Sequence, residues 1–113
     1  MSTGLNPAVL RDSAASDDSW VALRALGDTV RWQIVQLLAD EQLCACHLEE
    51  ELRIGQPLVS HHLKVLRDAG LIEGERFRYW TYYRLVPGAF REVAQRLRKL
   101  PGTGRRRERR PCC

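Results

Sequence analysis

Apolar residues recur through the middle of the chain with a helical period, and polar residues fill the gaps between them. Val30, Ile34, Leu37 and Leu38 stand at i, i+4, i+7 and i+8, which predicts a core-facing helix over residues 29–40. Asp28 caps it, and a shorter helix over 20–26 comes first, capped by Ser19 and ended by Gly27. Leu48 and Leu52 predict another short helix running to Arg53, after which Ile54-Gly55 turns the chain. Residues 56–70, QPLVSHHLKVLRDAG, then read as one helix of about four turns. Gln56 suits its cap, Pro57 its first turn and Gly70 a left-handed exit. Val59, Leu63 and Leu66 form its buried stripe, while Ser60, His61, Lys64 and Arg67 face outward.

After Gly70 the period changes. Leu71-Ile72-Glu73 and the run from Tyr79 to Leu85 are rich in β-branched and aromatic residues, with Gly74-Glu75-Arg76-Phe77-Arg78 between them. This predicts a β-hairpin with a basic tip. Pro87-Gly88 closes the hairpin and opens a last helix over 89–100, striped by Phe90, Val93, Ala94, Leu97 and Leu100. The core of so short a chain is small, so that stripe is expected to meet a second copy, with Phe90, Val93 and Leu97 at the dimer interface. Two short helices joined by a tight turn, with a hairpin directly after the second, make a winged helix-turn-helix. The expected fold is mainly α with a small β wing, and homodimeric.

Charge sharpens this picture. The net +4 is uneven: residues 1–52 carry −6, 53–84 carry +3, 85–100 carry +3 and 101–113 carry +4. The basic share lies on the outward helix, the segment after it and the tail. Such a distribution suits a protein that presents one side to phosphates. The outward helix has the shape for a DNA major groove, with Gln56, Ser60, His61 and Lys64 near the bases and Arg76 and Arg78 at flanking phosphates. Residues 1–17 read as a flexible arm, 18–100 as the DNA-binding and dimerisation domain, and 101–113 as a disordered basic tail.

The 113 residues make one domain, and no apolar run is long enough to cross a membrane. The start MSTGLNP is not a signal peptide, so a cytoplasmic protein is expected. Cysteines there stay reduced, so the pairs Cys44/Cys46 and Cys112/Cys113 read as metal or redox thiols. A thiol oxidoreductase is disfavoured, because Cys-x-x-Cys beside a βαβ pattern is missing. No Ser/His/Asp set or Gly-rich phosphate loop points to another enzyme class.

From about Trp20 to Leu100 the chain resembles the ArsR/SmtB family of metal-responsive winged-helix repressors. ALGDTVR at 25–31 is similar to the family's ALxDxxR opening, and residues 56–66 to its recognition helix with the SxHLxxL core. RDAGL at 67–71 resembles the helix exit, and Tyr83-Arg84-Leu85 the end of the wing. LCACHL at 43–48 resembles the LCxCxL box of the arsenic-sensing branch. The resemblance implies a dimeric repressor that leaves double-stranded operator DNA when an ion binds. Thiolates are soft ligands suited to As(III) or Sb(III) as inducer, with no organic cofactor. Where the arsenic box has a third cysteine this chain has Glu49, a hard oxygen donor. Cys112 or Cys113 can supply the missing sulfur, since about a dozen residues span roughly 40 Å when extended. The family's other site, built from Asp, His and Glu on the last helix, lacks its Asp and His here. His47 is a candidate ligand for zinc or cadmium, and His62 reads as a structural hydrogen-bonder. Switching by thiol oxidation, or by Cd, Pb or Zn, is the alternative mechanism.

Overall fold

The computed structural model describes residues 19–102, Arg109, Pro111 and Cys112. The expected N-terminal arm and much of the basic tail, Cys113 included, lie outside the described residues. Among the described residues five helices and three short strands follow one another: α1 (Ser19–Leu26), α2 (Thr29–Asp40), β1 (Leu43–Cys44), α3 (Ala45–Leu52), α4 (Gln56–Asp68), β2 (Ile72–Phe77), β3 (Trp80–Leu85) and α5 (Pro87–Lys99).

The helices start and stop where local chemistry dictates. Asp28 Oδ1 accepts the Arg31 N–H at 3.0 Å and caps α2. α4 ends in a Schellman motif: Gly70 (φ +77°) donates to Arg67 O at 2.9 Å and Leu71 donates to Leu66 O at 3.0 Å. The cap of α4 differs from expectation. Gly55 is the N-cap, and Gln56 and Pro57 are already helical. The tight turn before it rests on Arg53, which caps α3 with φ 57° and ψ 43° and donates to Glu49 O at 2.8 Å. The turn expected at Ile54-Gly55 thus begins earlier, and Gly55 itself stays extended.

The sheet has the order β1–β3–β2, antiparallel throughout. The hairpin is longer than the sequence implied, with β2 continuing to Phe77, paired with Trp80. Its tip is therefore only Arg78-Tyr79, with Arg78 at φ 59° and Tyr79 not positive. That is the pattern of a type II′ turn, where glycine is the usual first residue. Gly74 sits inside β2 rather than in the tip. A Cβ there would stand 2.8 Å from Thr81 Cγ2 and 3.2 Å from Tyr83 Cε1, so the side chains of β3 fill the space a side chain at 74 would need.

Ile34, Leu38, Leu48, Val59, Leu63, Leu66, Leu71 and Ile72 form one dry core. α4 packs on α1, α2, α3 and β2, and α5 packs on α1. The outward face of α4 is thus fixed by the burial of its inner face. α5 is fixed less completely. Val93 is buried within the chain itself and Phe90 packs against its core, while Leu97 and Leu100 remain exposed. Of the three residues expected at the subunit interface, only Leu97 lies fully on the open surface.

Candidate nucleic-acid interface and thiol site

The outward side of α4 displays Gln56, Ser60, His61 and Lys64, all exposed. Gln56 Nε2 donates to Ser60 Oγ at 3.2 Å, one turn on, which orients both side chains along the helix. Lys64 is less free than its position implies, because Nζ donates to Asp68 Oδ2 at 2.8 Å. That hydrogen bond holds the Asp68 carboxyl below its ordinary 3.8. Asp68 thus places a carboxylate at the C-terminal end of the outward face. Leu58 also stands exposed on this helix, an apolar group suited to a thymine methyl.

The wing supplies the flanking cations. Arg76 Nε donates to Arg78 O at 3.4 Å, and the Arg78 guanidinium lies 5.5 Å from the Phe77 ring centre. Phe77, Tyr79 and Trp80 are exposed around them, so the tip is aromatic as well as basic. Arg84, further down the hairpin, is committed elsewhere: it donates to Glu75 at 2.6 Å and to Glu73 at 2.9 Å.

The thiols sit at a joint. Cys44 is buried, ends β1 and serves as the N-cap of α3; Cys46 is exposed in the first turn of that helix. Spacing alone places the two about 200° apart on a regular helix. Here only Cys46 is helical, and the backbone at Cys44 is extended (φ −92°, ψ 170°), so the two thiols are not held at the azimuths of a regular helix. Local desolvation, then the charge and hydrogen bond of Cys44, raises the Cys46 thiol above its ordinary 9.0. On the other side of Cys44, His47 Nδ1 accepts the Cys44 N–H at 3.1 Å and lies 3.2 Å from Sγ. His47 Nδ1 therefore presents its lone pair to the Cys44 backbone. Among the described residues no cluster of three or more His, Cys, Asp or Glu is arranged to hold a metal ion. Cys44 and Cys46 thus supply two sulfurs, with no third donor beside them among the described residues. Cys112 is exposed, and Cys113 lies outside the described residues.

Two strong features escaped the sequence. Arg31 joins α1, α2 and α4 through Ala25 O and His62, and no periodicity announces so distant a contact. β1 pairs Leu43 with Tyr83 and Cys44 with Tyr82, which attaches the thiol joint to the wing.

Comparison with known proteins decides the family. The profile described as "Bacterial regulatory protein, arsR family" matches residues 28–73, from the cap of α2 into β2. An uncharacterised HTH-type transcriptional regulator of Methanocaldococcus jannaschii is 33% identical over 78 residues, covering 68% of this chain and 88% of that protein. The chain belongs to the arsR family of bacterial regulatory proteins. The arsenic resistance transcriptional regulator ArsR1 of Pseudomonas putida is 40% identical over 68 residues, but this covers 59% of this chain and only 53% of that regulator. The chain likewise spans about half the length (47%) of the SmtB repressor of Mycobacterium tuberculosis. Among solved structures, the homodimeric winged helix-turn-helix DNA-binding domain of a possible ArsR-family regulator of Mycobacterium bovis superposes with a TM-score of 0.66 over 95% of this chain and 99% of that one, at 23% identity. The winged helix-turn-helix fold of the family is thereby established for this chain. No helix among the described residues is long and apolar enough to cross a membrane.

Proposed function

We propose that this arsR-family chain is a cytoplasmic, dimeric transcriptional repressor that releases operator DNA when As(III) or Sb(III) is captured by its thiolates. α4 enters the major groove with Gln56, Ser60, His61 and Lys64, and Arg76 and Arg78 of the wing meet flanking phosphates. Phe90, Val93 and Leu97 line the subunit contact, with Leu97 the outermost. Cys44 and Cys46 supply two sulfurs and Cys112 or Cys113 the third. The observation that carries this reading is the pair of free thiols at the β1–α3 joint, Cys44 as the extended N-cap and Cys46 in the first turn, with α3 packed directly on α4.

The chemistry of the pair fits a soft ion. A bound trivalent ion supplies bonds to sulfur that need deprotonated thiols, so capture competes with protons and strengthens as pH rises toward the thiol pKa values. Closing Cys44 and Cys46 onto one centre reshapes the first turn of α3. That movement reaches α4 through helix packing and the wing through β1. Induction needs such a difference between two states of the protein, and this joint is where one can arise.

A second reading has one observation in its favour. The imidazole 3.2 Å from Cys44 Sγ also suits a thiol activated for oxidation.

Gel retention with As(III), Sb(III), Cd(II), Pb(II), Zn(II) and peroxide titrated in separates the readings. Cys44→Ser and Cys46→Ser are expected to hold DNA and no longer release it. Replacing Cys112 and Cys113 together should weaken the response and leave DNA affinity intact. X-ray absorption on the arsenic complex should count three sulfur neighbours. Full release by arsenite with Cys44 and Cys46 both gone refutes the site.

A further inference from the structure

Arg31 fastens three helices at one point. Its backbone N–H donates to Asp28 Oδ1 at 3.0 Å, and Nε donates to Ala25 O in the last turn of α1 at 2.6 Å. Its Nη1 lies 3.1 Å from Nδ1 of His62, on α4. A guanidinium only donates, so His62 Nδ1 must accept, and the ring is neutral with its proton on Nε2. His62 is buried, one residue from the outward His61, on the helix that carries Ser60 and Lys64. The contact is therefore a strut from the α1–α2 corner to the outward-facing helix.

Protonating Nδ1 would turn this strut into a repulsion, with two N–H donors and two positive charges 3.1 Å apart. Asp28 Oδ1, 4.0 Å from Nδ1, offsets only part of this, because it already accepts the Arg31 N–H. We propose that the Arg31–His62 contact is a proton-sensitive latch that holds α4 in its DNA-reading pose and lets go on acidification. The latch rests on the reading of α4 as a DNA-binding helix.

The groups acting on His62 fix the direction. They are Asp28 and Arg31 from α2 and His61 from its own helix. From α1, Arg24 lines a cleft of about 410 Å3 together with Arg31 and His61, which leaves room for a displaced guanidinium. Burial above all, and then the Arg31 and His61 charges, hold the His62 ring below its ordinary 6.5 against the pull of Asp28. A histidine depressed in the native state contributes its full stabilisation above 6.5. That contribution fades as pH falls from there through the lowered native value. When α4 is bound to DNA the ring stays neutral, whereas the free protein can relax and take the proton. Linkage then makes DNA affinity fall with pH, by up to about tenfold per pH unit for each protomer. The exposed His61 has the opposite effect, since its proton adds a charge toward phosphate.

The opposite signs make the test decisive. The probe is a fluorescent duplex selected by the full-length protein from a random-sequence pool, with thiols reduced and a chelator present. Anisotropy titrations run from about pH 7.5 to 5.5 at constant ionic strength, the range in which histidine changes charge. The His61→Gln protein should lose affinity steeply toward acid. Adding His62→Gln, whose amide oxygen can accept from Arg31 but cannot titrate, should flatten the profile. Only the slopes are compared, so a change in absolute affinity does not obscure the result. Equal slopes in the two proteins overturn the latch. Ring-nitrogen NMR on the free protein is the independent arm. It should find the Nε2–H tautomer of His62 titrating below the ordinary 6.5, with amide shifts along α4 at the same midpoint. A His62 midpoint at or above 6.5 overturns the latch as well. If the wild type selects no duplex at any pH, the DNA reading fails, and the NMR arm alone judges whether His62 moves α4.

Discussion

α4 and α5 are built to similar specifications and end up in different situations. Each spans thirteen residues, opens with a proline in its first turn and carries an apolar stripe. α4 buries its stripe entirely inside the chain, with Val59 and Leu66 at 0% exposure. α5 buries Val93 and leaves Leu97 45% and Leu100 77% exposed. α1, packed beside α5, also leaves Trp20 and Leu23 open. An amphipathic pattern thus demands burial without saying against what. For α4 the demand is met during folding of one chain, which sets the pose of its polar face. For α5 part of the demand is left over, and the proposed subunit contact is what would meet it.

The largest effect should come from breaking the side that folding satisfies. Leu66→Ala is expected to cost about 2–5 kcal/mol in denaturant unfolding, the range for a fully buried leucine that leaves a cavity. Leu100→Ala at matched low concentration should stay within about 0.5 kcal/mol, as an exposed position does. Comparable losses would erase the distinction between the two helices. Next in size is an attack on the unsatisfied side. Leu97→Glu places a charge on the open stripe and should weaken self-association at least about tenfold, or ~1.4 kcal/mol, in analytical sedimentation. DNA affinity should drop with it, because a palindromic site needs two half-site readers. A Leu97→Glu protein that sediments as a dimer would place the interface elsewhere. The smallest effect tests whether the reading surface extends beyond α4. Arg78→Ala should weaken all DNA sequences alike and flatten the salt dependence of binding by about one unit of slope. An unchanged slope would confine the interface to the helix.

The five helices were legible because each carries a 3.6-residue stripe and terminal residues that agree with it. The buried set of α4 follows from Val59, Leu63 and Leu66 alone. β1 was not legible: two residues have no period, and Leu43 and Cys44 become a strand only because Tyr82 and Tyr83 are there to pair with them. The bends were misplaced for a related reason. Arg53 and Arg78 adopt left-handed or positive-φ backbone although glycine is the usual occupant, since tertiary packing overrides the local preference. The thiol pair was readable from its spacing, whereas the Cys44–His47 bond depends on where α3 starts. The Arg31–His62 contact joins positions 31 residues apart, and only the packing of α2 on α4 brings them together.

The pairing of Cys44 with Tyr82 also bears on how separable the parts of this molecule are. A short cysteine box looks portable, something to be grafted onto any helix-turn-helix to make it answer a new ion. Here the box takes its extended start from the ladder with β3, and its helix from a cap at the last residue of that ladder. A graft of residues 43–48 alone would carry the sulfurs and leave behind the backbone that brings them together. The transplantable unit is the box with its hairpin, and a chimera that takes both should be the one that responds.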